Sequence, residues 1–315
     1  MAESKTASPF AAPDDVEPGS LRAWAVATRP RTLWIAAIPV AVATGLAFLR
    51  GAPILGWVTA LALAGSLLVQ VLSNLQNDVG YTARGLETGG RVGLPRATAR
   101  GWLSPQAVRR AIAAGVIASA LVCVPLVAHA GWVPAAIGLA STAGALAYMG
   151  GPRPIAYTPF GEATVFVFFG LVAVLGTYYL HAGTVGADAW LAGAAVGAHA
   201  AAVLAVNNHR DHEHDARTGR RTFAALFGEH ASARLYRAAL WSPFAIVAGL
   251  ALARSEPGLA LPLALAPVAA RLQRDFGDAT GLAFNAILFR TVKLELAFGL
   301  AFTAGAVAQR LLGSP

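Results

Sequence analysis

Apolar runs about as long as a bilayer is thick recur along the chain, and they leave little room for any fold but a membrane bundle. They fall at 33–49, 54–76, 109–128, 131–150, 162–182, 187–207, 232–253, 257–272 and 294–312. A helix needs about 20 apolar residues to cross the hydrocarbon layer, so nine spans are expected. In lipid only helices or closed barrels satisfy their own backbone; runs of this length make the fold class all-α, one polytopic bundle over 21–315. Only 13% of the residues are charged, against about 25% in a soluble domain. Small residues crowd several runs, as in AGAAVGAHAAAVLAV from Ala192 to Val206, and let helices approach closely. Pro262 and Pro267 interrupt the eighth run.

Residues 1–20 are polar and rich in Pro, Ser and Ala, without the basic-then-apolar order of a secretory signal. They are expected to form a disordered cytoplasmic tail. The one cysteine, Cys123, sits in an apolar run, which excludes a disulfide framework and points to helix packing. Basic residues gather in the amino-terminal segment and after the even-numbered runs; Arg50, Arg254 and Arg310 alone fall on the other side. By the positive-inside rule the amino terminus is then cytoplasmic, in a bacterial-type inner membrane, and the carboxyl terminus outside. The net charge of +8 is spread between spans rather than over one soluble face. It therefore suits the lipid bilayer or an anionic substrate, and not nucleic acid.

Two polar islands interrupt this pattern, both expected on the cytoplasmic face. The first is SNLQNDVGYTARGLETGGRVGLPRATARGWLSP from Ser73 to Pro105, the second NNHRDHEHDARTGRRTFAALFGE from Asn207 to Glu229. If the helices continue into them, Asn74, Asn77 or Asp78, and Tyr81 share one face, while Asn207, Asp211 and Asp215 stack on another. Amide and carboxylate oxygens at that spacing suit a hard cation such as Mg2+, which shares its shell with phosphate oxygens. Arg91, Arg96, Arg210, Arg220 and Arg221 stand close by, and guanidinium groups grip phosphate in a bidentate manner. Either island alone also reads as a solvated loop that sets orientation. His209, His212 and His214 add a zinc alternative, weakened because they lie on different helical faces.

Both islands resemble the two Asp-rich motifs of the UbiA superfamily of membrane prenyltransferases, especially the branch that prenylates 1,4-dihydroxy-2-naphthoate in menaquinone synthesis. RPRTLW from Arg29 to Trp34 resembles that branch's first span start, and YMGGPRPIAYTPFGEATVFVFFG from Tyr148 to Gly170 its central segment. The resemblance implies an intramembrane cavity open to the cytoplasm. There Mg2+ would polarise a polyprenyl diphosphate, an allylic carbocation would form, and the naphthoate ring would attack it with loss of carbon dioxide, giving demethylmenaquinone. It assigns Asn77, Asp78, Asp211, Asp215 and Glu87 to the metal. Asn74, Arg91, Arg96, Asn207, Asn208, Arg210, Arg221 and Tyr157 fall to substrate binding, and Asp78, Asp211, Asp215, Tyr148 and Glu162 to catalysis.

One departure stands out. The family's first motif repeats an Asp three residues after the first, and this chain has Tyr81 there; Glu87 or a water must supply the missing oxygen. Three alternatives share the composition: transfer to another aromatic acceptor, a catalytically silent paralogue, or a secondary transporter. A transporter is expected to carry ionisable groups near mid-membrane, whereas these charges gather at one face.

Overall fold

In the computed structural model, which describes residues 16–87 and 93–313, the chain is helical, with no strand among the described residues. Residues 1–15 of the expected tail lie outside the described residues. Of its last five, Val16 is buried against Ala23 and Leu72 in one apolar cluster, and the Gly19 amide donates to Trp102 O at 2.8 Å. The Ser20 hydroxyl then caps α1 (Leu21–Thr28) by accepting from Ala23 N. A 3-10 turn at Pro30–Thr32 leads into α2 (Trp34–Leu49), bent 41° from the preceding segment.

The remaining helices are α3 (Gly56–Ala83), α4 (Pro105–Ala130), α5 (Val133–Met149), α6 (Gly161–Val165), α7 (Ala173–Ala182), α8 (Ala187–Arg217), α9 (Phe223–Arg254), α10 (Ala266–Asp278) and α11 (Ala283–Leu312). A π-helical stretch, Phe166–Val172, joins α6 to α7. The outer surface is apolar: Ile117, Leu121 and Val124 on α4, with Trp132 and Leu139 beside them, are all exposed. An apolar outside is stable only against lipid.

Each of the nine apolar runs falls on helix, but their lengths do not support nine spans. Among the described residues six helices are long and apolar enough to cross a membrane, seven if the bent pair Leu21–Thr32 with Trp34–Leu49 counts as one. The fourth run gives α5, whose 17 residues rise only about 26 Å. The eighth divides into a 3-10 segment, Pro257–Leu265, and α10, which buries Ala269, Leu272 and Phe276 on one face and carries Arg271, Arg274 and Asp275 on the other. Prolines at 257, 262 and 267 remove the amides a continuous α-helix needs there.

Two packing units make up the bundle. The larger joins α2, α7, α8, α9, α10 and α11 through residues such as Leu46, Val206, Leu240 and Phe298; the other joins α1, α3 and α4 through Ala27, Leu72 and Val108. At the end of the bundle away from the polar islands, one ion network ties three elements together. Arg50 reaches Asp188 at 2.7 Å and Glu256 at 2.8 Å, and Arg254 reaches Asp188 at 2.7 Å. The π-helical stretch lies directly on α8, where a Cβ at Gly170 would collide with Gly193 O and one at Gly197 would meet Phe166 O at 2.5 Å. Only glycine permits this backbone contact.

Gly197→Ala is therefore expected to lower the stability of the detergent-solubilised protein by about 1–3 kcal/mol. Gly249→Ala, with open space around its Cβ, should be neutral or slightly stabilising. Thermal unfolding of both variants checks this; equal midpoints would mean the α8 contact yields easily.

Candidate functional site

A cavity of about 320 Å³ runs between the two packing units. Along α3 its wall is Leu61, Gly65, Val69, Ser73, Asn77 and Tyr81, one face of the helix at intervals of four. From Leu61 to Tyr81 the rise is about 30 Å, the thickness of the hydrocarbon layer. The deep part is apolar, with Leu126, Ile137, Phe168, Phe169, Val172 and Leu180. Its floor abuts a cluster of Val58, Leu126 and Leu180. Cys123 lies in the wall, its Sγ donating to Pro134 O. The extra residue per turn in the π-helix turns Phe168 and Phe169 inward while α7 continues the same wall with Ala173 and Gly176.

The other end is polar: Arg29, Gln70, Asn77, Tyr81, Arg96, Tyr148, Asn207, Asn208 and Arg220 line it. Both α3 and α8 remain helical into the islands, to Ala83 and Arg217. Their faces separate residues that are neighbours in sequence. Asn77 and Tyr81 point into the cavity, whereas Asn74 donates to Thr28 O at 2.8 Å and pins the end of α1. Asp78 turns toward the loop after α3. Its carboxylate accepts from Ala97 N at 2.7 Å, Thr98 N at 2.9 Å and Thr98 Oγ1 at 2.6 Å, and so anchors the segment that carries Arg96. Glu87 faces Arg96 at 3.5 Å. Arg91 lies outside the described residues.

On the second island, Asn207 and Asn208 reach the cavity. Arg210 bonds Asp211 at 2.7 Å through both Nε and NH2, Asn207 at 2.9 Å and Asn285 on α11 at 2.6 Å. Asp215 is buried and accepts from Arg220 NH1 at 2.5 Å. Gly219, with φ +75°, ends α8 in a left-handed turn, so that Arg220 folds back and its amide bonds Asp215 O at 2.8 Å. Arg220 is thus buried and Arg221 exposed; the latter meets the site only through its amide, which donates to Tyr157 O at 3.2 Å. Desolvation opposes the charge on Arg220, yet Tyr81 and Asp215 beside it hold its pKa above the ordinary value.

In the central segment Tyr148 lines the cavity and Glu162 is buried, with Oε1 accepting from Asn208 Nδ2 at 2.9 Å and Oε2 without a partner. Tyr157 lies half-buried under the Arg84 guanidinium, its phenol pushed up by burial. His209 packs against Phe276 and Phe284, and His214 bonds Leu86 O at 3.0 Å.

Arg29 and Gln70 escaped the sequence reading, and Arg220 was named there beside the carboxylates without being assigned to the substrate. The helix-stop glycine in RTGRR was the available signal for Arg220, and the first residue of RPRTLW was that for Arg29. Arg29 holds φ +54° at the end of α1, a conformation rare for a side-chain-bearing residue and common at functional sites.

Asn77 Oδ1 and Asn208 Oδ1 are buried, lack a hydrogen-bond partner and line the polar end. No group of three His, Cys, Asp or Glu residues among those described is placed to hold a metal. Hard amide oxygens beside arginines fit a divalent ion whose shell is completed by phosphate oxygens and water.

The UbiA prenyltransferase family profile matches residues 36–280. The chain is 35% identical over 229 residues to the 1,4-dihydroxy-2-naphthoate octaprenyltransferase of Escherichia coli, covering 70% of this chain and 72% of that protein. It is 36% identical over 253 residues to the enzyme of the same name from Mycobacterium tuberculosis, covering 80% and 85%. In fold it is similar to a UbiA homolog from Archaeoglobus fulgidus, solved bound to DMAPP and Mg2+, with a TM-score of 0.62 at 14% identity over 89% of this chain and 98% of that one.

The three hydrogen bonds at Asp78 generate an expectation. Asp78→Ala should open the segment at 93–104 to protease about tenfold faster in the ligand-free protein, as loss of charge-assisted bonds predicts. Unchanged cleavage would mean that the segment is held by its other contacts.

Proposed function

The chain belongs to the UbiA prenyltransferase family, and from that premise we propose that it transfers a polyprenyl group from polyprenyl diphosphate to 1,4-dihydroxy-2-naphthoate. Carbon dioxide is lost and the prenylated naphthoquinol of menaquinone synthesis results. The observation that carries this reading is the shape of one cavity: a guanidinium-lined polar end joined to an apolar channel, the whole about 30 Å long. A diphosphate with a long hydrocarbon tail has that form.

Arg29, Arg96 and Arg220 grip the diphosphate, while Leu126, Phe168 and Leu180 take the tail and exclude water. Mg2+, when bound, supplies Lewis-acid neutralisation of the leaving diphosphate; Asn77 and Asn208 would hold it, with Asp211 and Asp215 in support. Cleavage of the allylic C–O bond leaves a cation, which the Tyr148 ring face stabilises and the dry channel protects from hydrolysis. Glu162, held by Asn208, orients the acceptor. Attack through the carbon that bears the carboxylate forms the new C–C bond. Loss of carbon dioxide then returns the electron pair to the ring. Asp78 and Asn74 act one step removed, by holding the Arg96 segment and α1. The amino terminus and both islands face the cytoplasm in a bacterial inner membrane, which the distribution of basic residues supports.

Purified protein in detergent, given labelled polyprenyl diphosphate and 1,4-dihydroxy-2-naphthoate, is expected to form the decarboxylated prenyl product with Mg2+ and to stop in EDTA. Arg220→Gln should lower kcat/KM by at least about tenfold, the loss of one charge-assisted contact, and Arg221→Gln by much less. Product formation with another aromatic acid but not with this acceptor would overturn the acceptor assignment.

A further inference from the structure

Arg96 belongs to the first polar island and Arg220 to the second, yet both guanidinium groups approach one ring. Their Cζ atoms lie 4.1 and 5.2 Å from the Tyr81 centroid. All three residues line the polar end of the cavity, and each is no more than 4% exposed. Two buried like charges repel strongly where water cannot screen them. The negative face of an aromatic ring offsets part of that repulsion. One carboxylate faces each arginine from behind, Glu87 for Arg96 and Asp215 for Arg220. One turn earlier on the same face of α3, Asn77 presents its partnerless oxygen to the same space. The ring therefore occupies a place where two cationic arms from separate islands must be held together around an anion.

We propose that Tyr81 is a positioning residue that holds Arg96 and Arg220 as a two-armed clamp for the diphosphate, so that guanidinium takes this share of its charge independently of a metal ion. The inference rests on the reading of the donor as a prenyl diphosphate. A phenyl ring retains the face over which both guanidinium groups lie. An aliphatic side chain removes the attraction and lets the arms separate. A carboxylate instead pairs with the arginines and neutralises them.

Calorimetric titration of inorganic diphosphate into the full-length protein in detergent tests this, in EDTA and again in Mg2+, with thermal unfolding as the check on folding. The wild type is expected to bind in EDTA and Tyr81→Phe to stay within about twofold of it, while Tyr81→Leu weakens binding about tenfold, the scale of a desolvated cation–π contact. Tyr81→Asp is expected to lose binding in EDTA and regain it with Mg2+, which keeps the test open if the leucine variant does not fold. Wild-type affinity in EDTA for either Tyr81→Leu or Tyr81→Asp would overturn the clamp. So would a wild type that binds diphosphate in Mg2+ alone, although the prenyl-transfer reading would then stand. A wild type that binds under neither condition would overturn both.

Discussion

The charges of the site sit where helices outrun the hydrocarbon, and its position follows from that constraint. The helices α3 and α8 have 28 and 31 residues, rising about 42 and 46 Å, while about 30 Å suffices to cross the hydrocarbon. Their surplus length carries Asn77, Tyr81, Asn208, Asp211 and Asp215 out to one end as ordered helix rather than loose loop. A polar group deeper in the bilayer would have to find its partner within the protein or carry a large desolvation cost. The arginines accordingly come from connecting segments folded back over the helix ends, Arg96 by way of Asp78 and Arg220 by way of Gly219.

The channel below this end exists because the apolar packing is divided. One unit centres on α8 and α11 and another on α3 and α4, with the cavity between them. A single close-packed core would leave no room for a tail. The backbone contact of Gly170 with α8 keeps the π-helical stretch flat against the larger unit, and this aims Phe168 and Phe169 at the channel. Packing thus decides where the hydrocarbon part of a substrate lies, and helix length decides where its charge lies.

Much of this was legible in the sequence. Hydrophobic runs marked the helices, and the islands marked the polar end of the cavity, because both signals are carried over many residues. What was not legible depends on single-residue geometry. Successive helical residues differ by about 100° in direction, so Asn74, Asn77 and Asp78 could not be assigned to the α1 contact, the cavity and the loop anchor from spacing alone. The choice between Arg220 and Arg221 depended on one left-handed glycine, and reading them by motif position selected the exposed one. The count of nine spans is not confirmed among the described residues, for a related reason. Apolar composition does not reveal that three prolines convert the eighth run into a 3-10 segment followed by a short amphipathic helix.

The floor of the channel has a consequence for the membrane that houses it. A cavity about as deep as the bilayer, lined at one end by arginines and polar amides, is most of an ion pathway. Val58, Leu126 and Leu180 close it with three apolar side chains, and behind them the Arg50, Asp188, Arg254 and Glu256 network locks the helix ends. Substrates can therefore come and go at the polar end without electrically connecting the two sides of the bilayer. In the proposed prenyl transfer, the far end of the channel would thus stay shut to ions while the donor's charged head is exchanged at the near end.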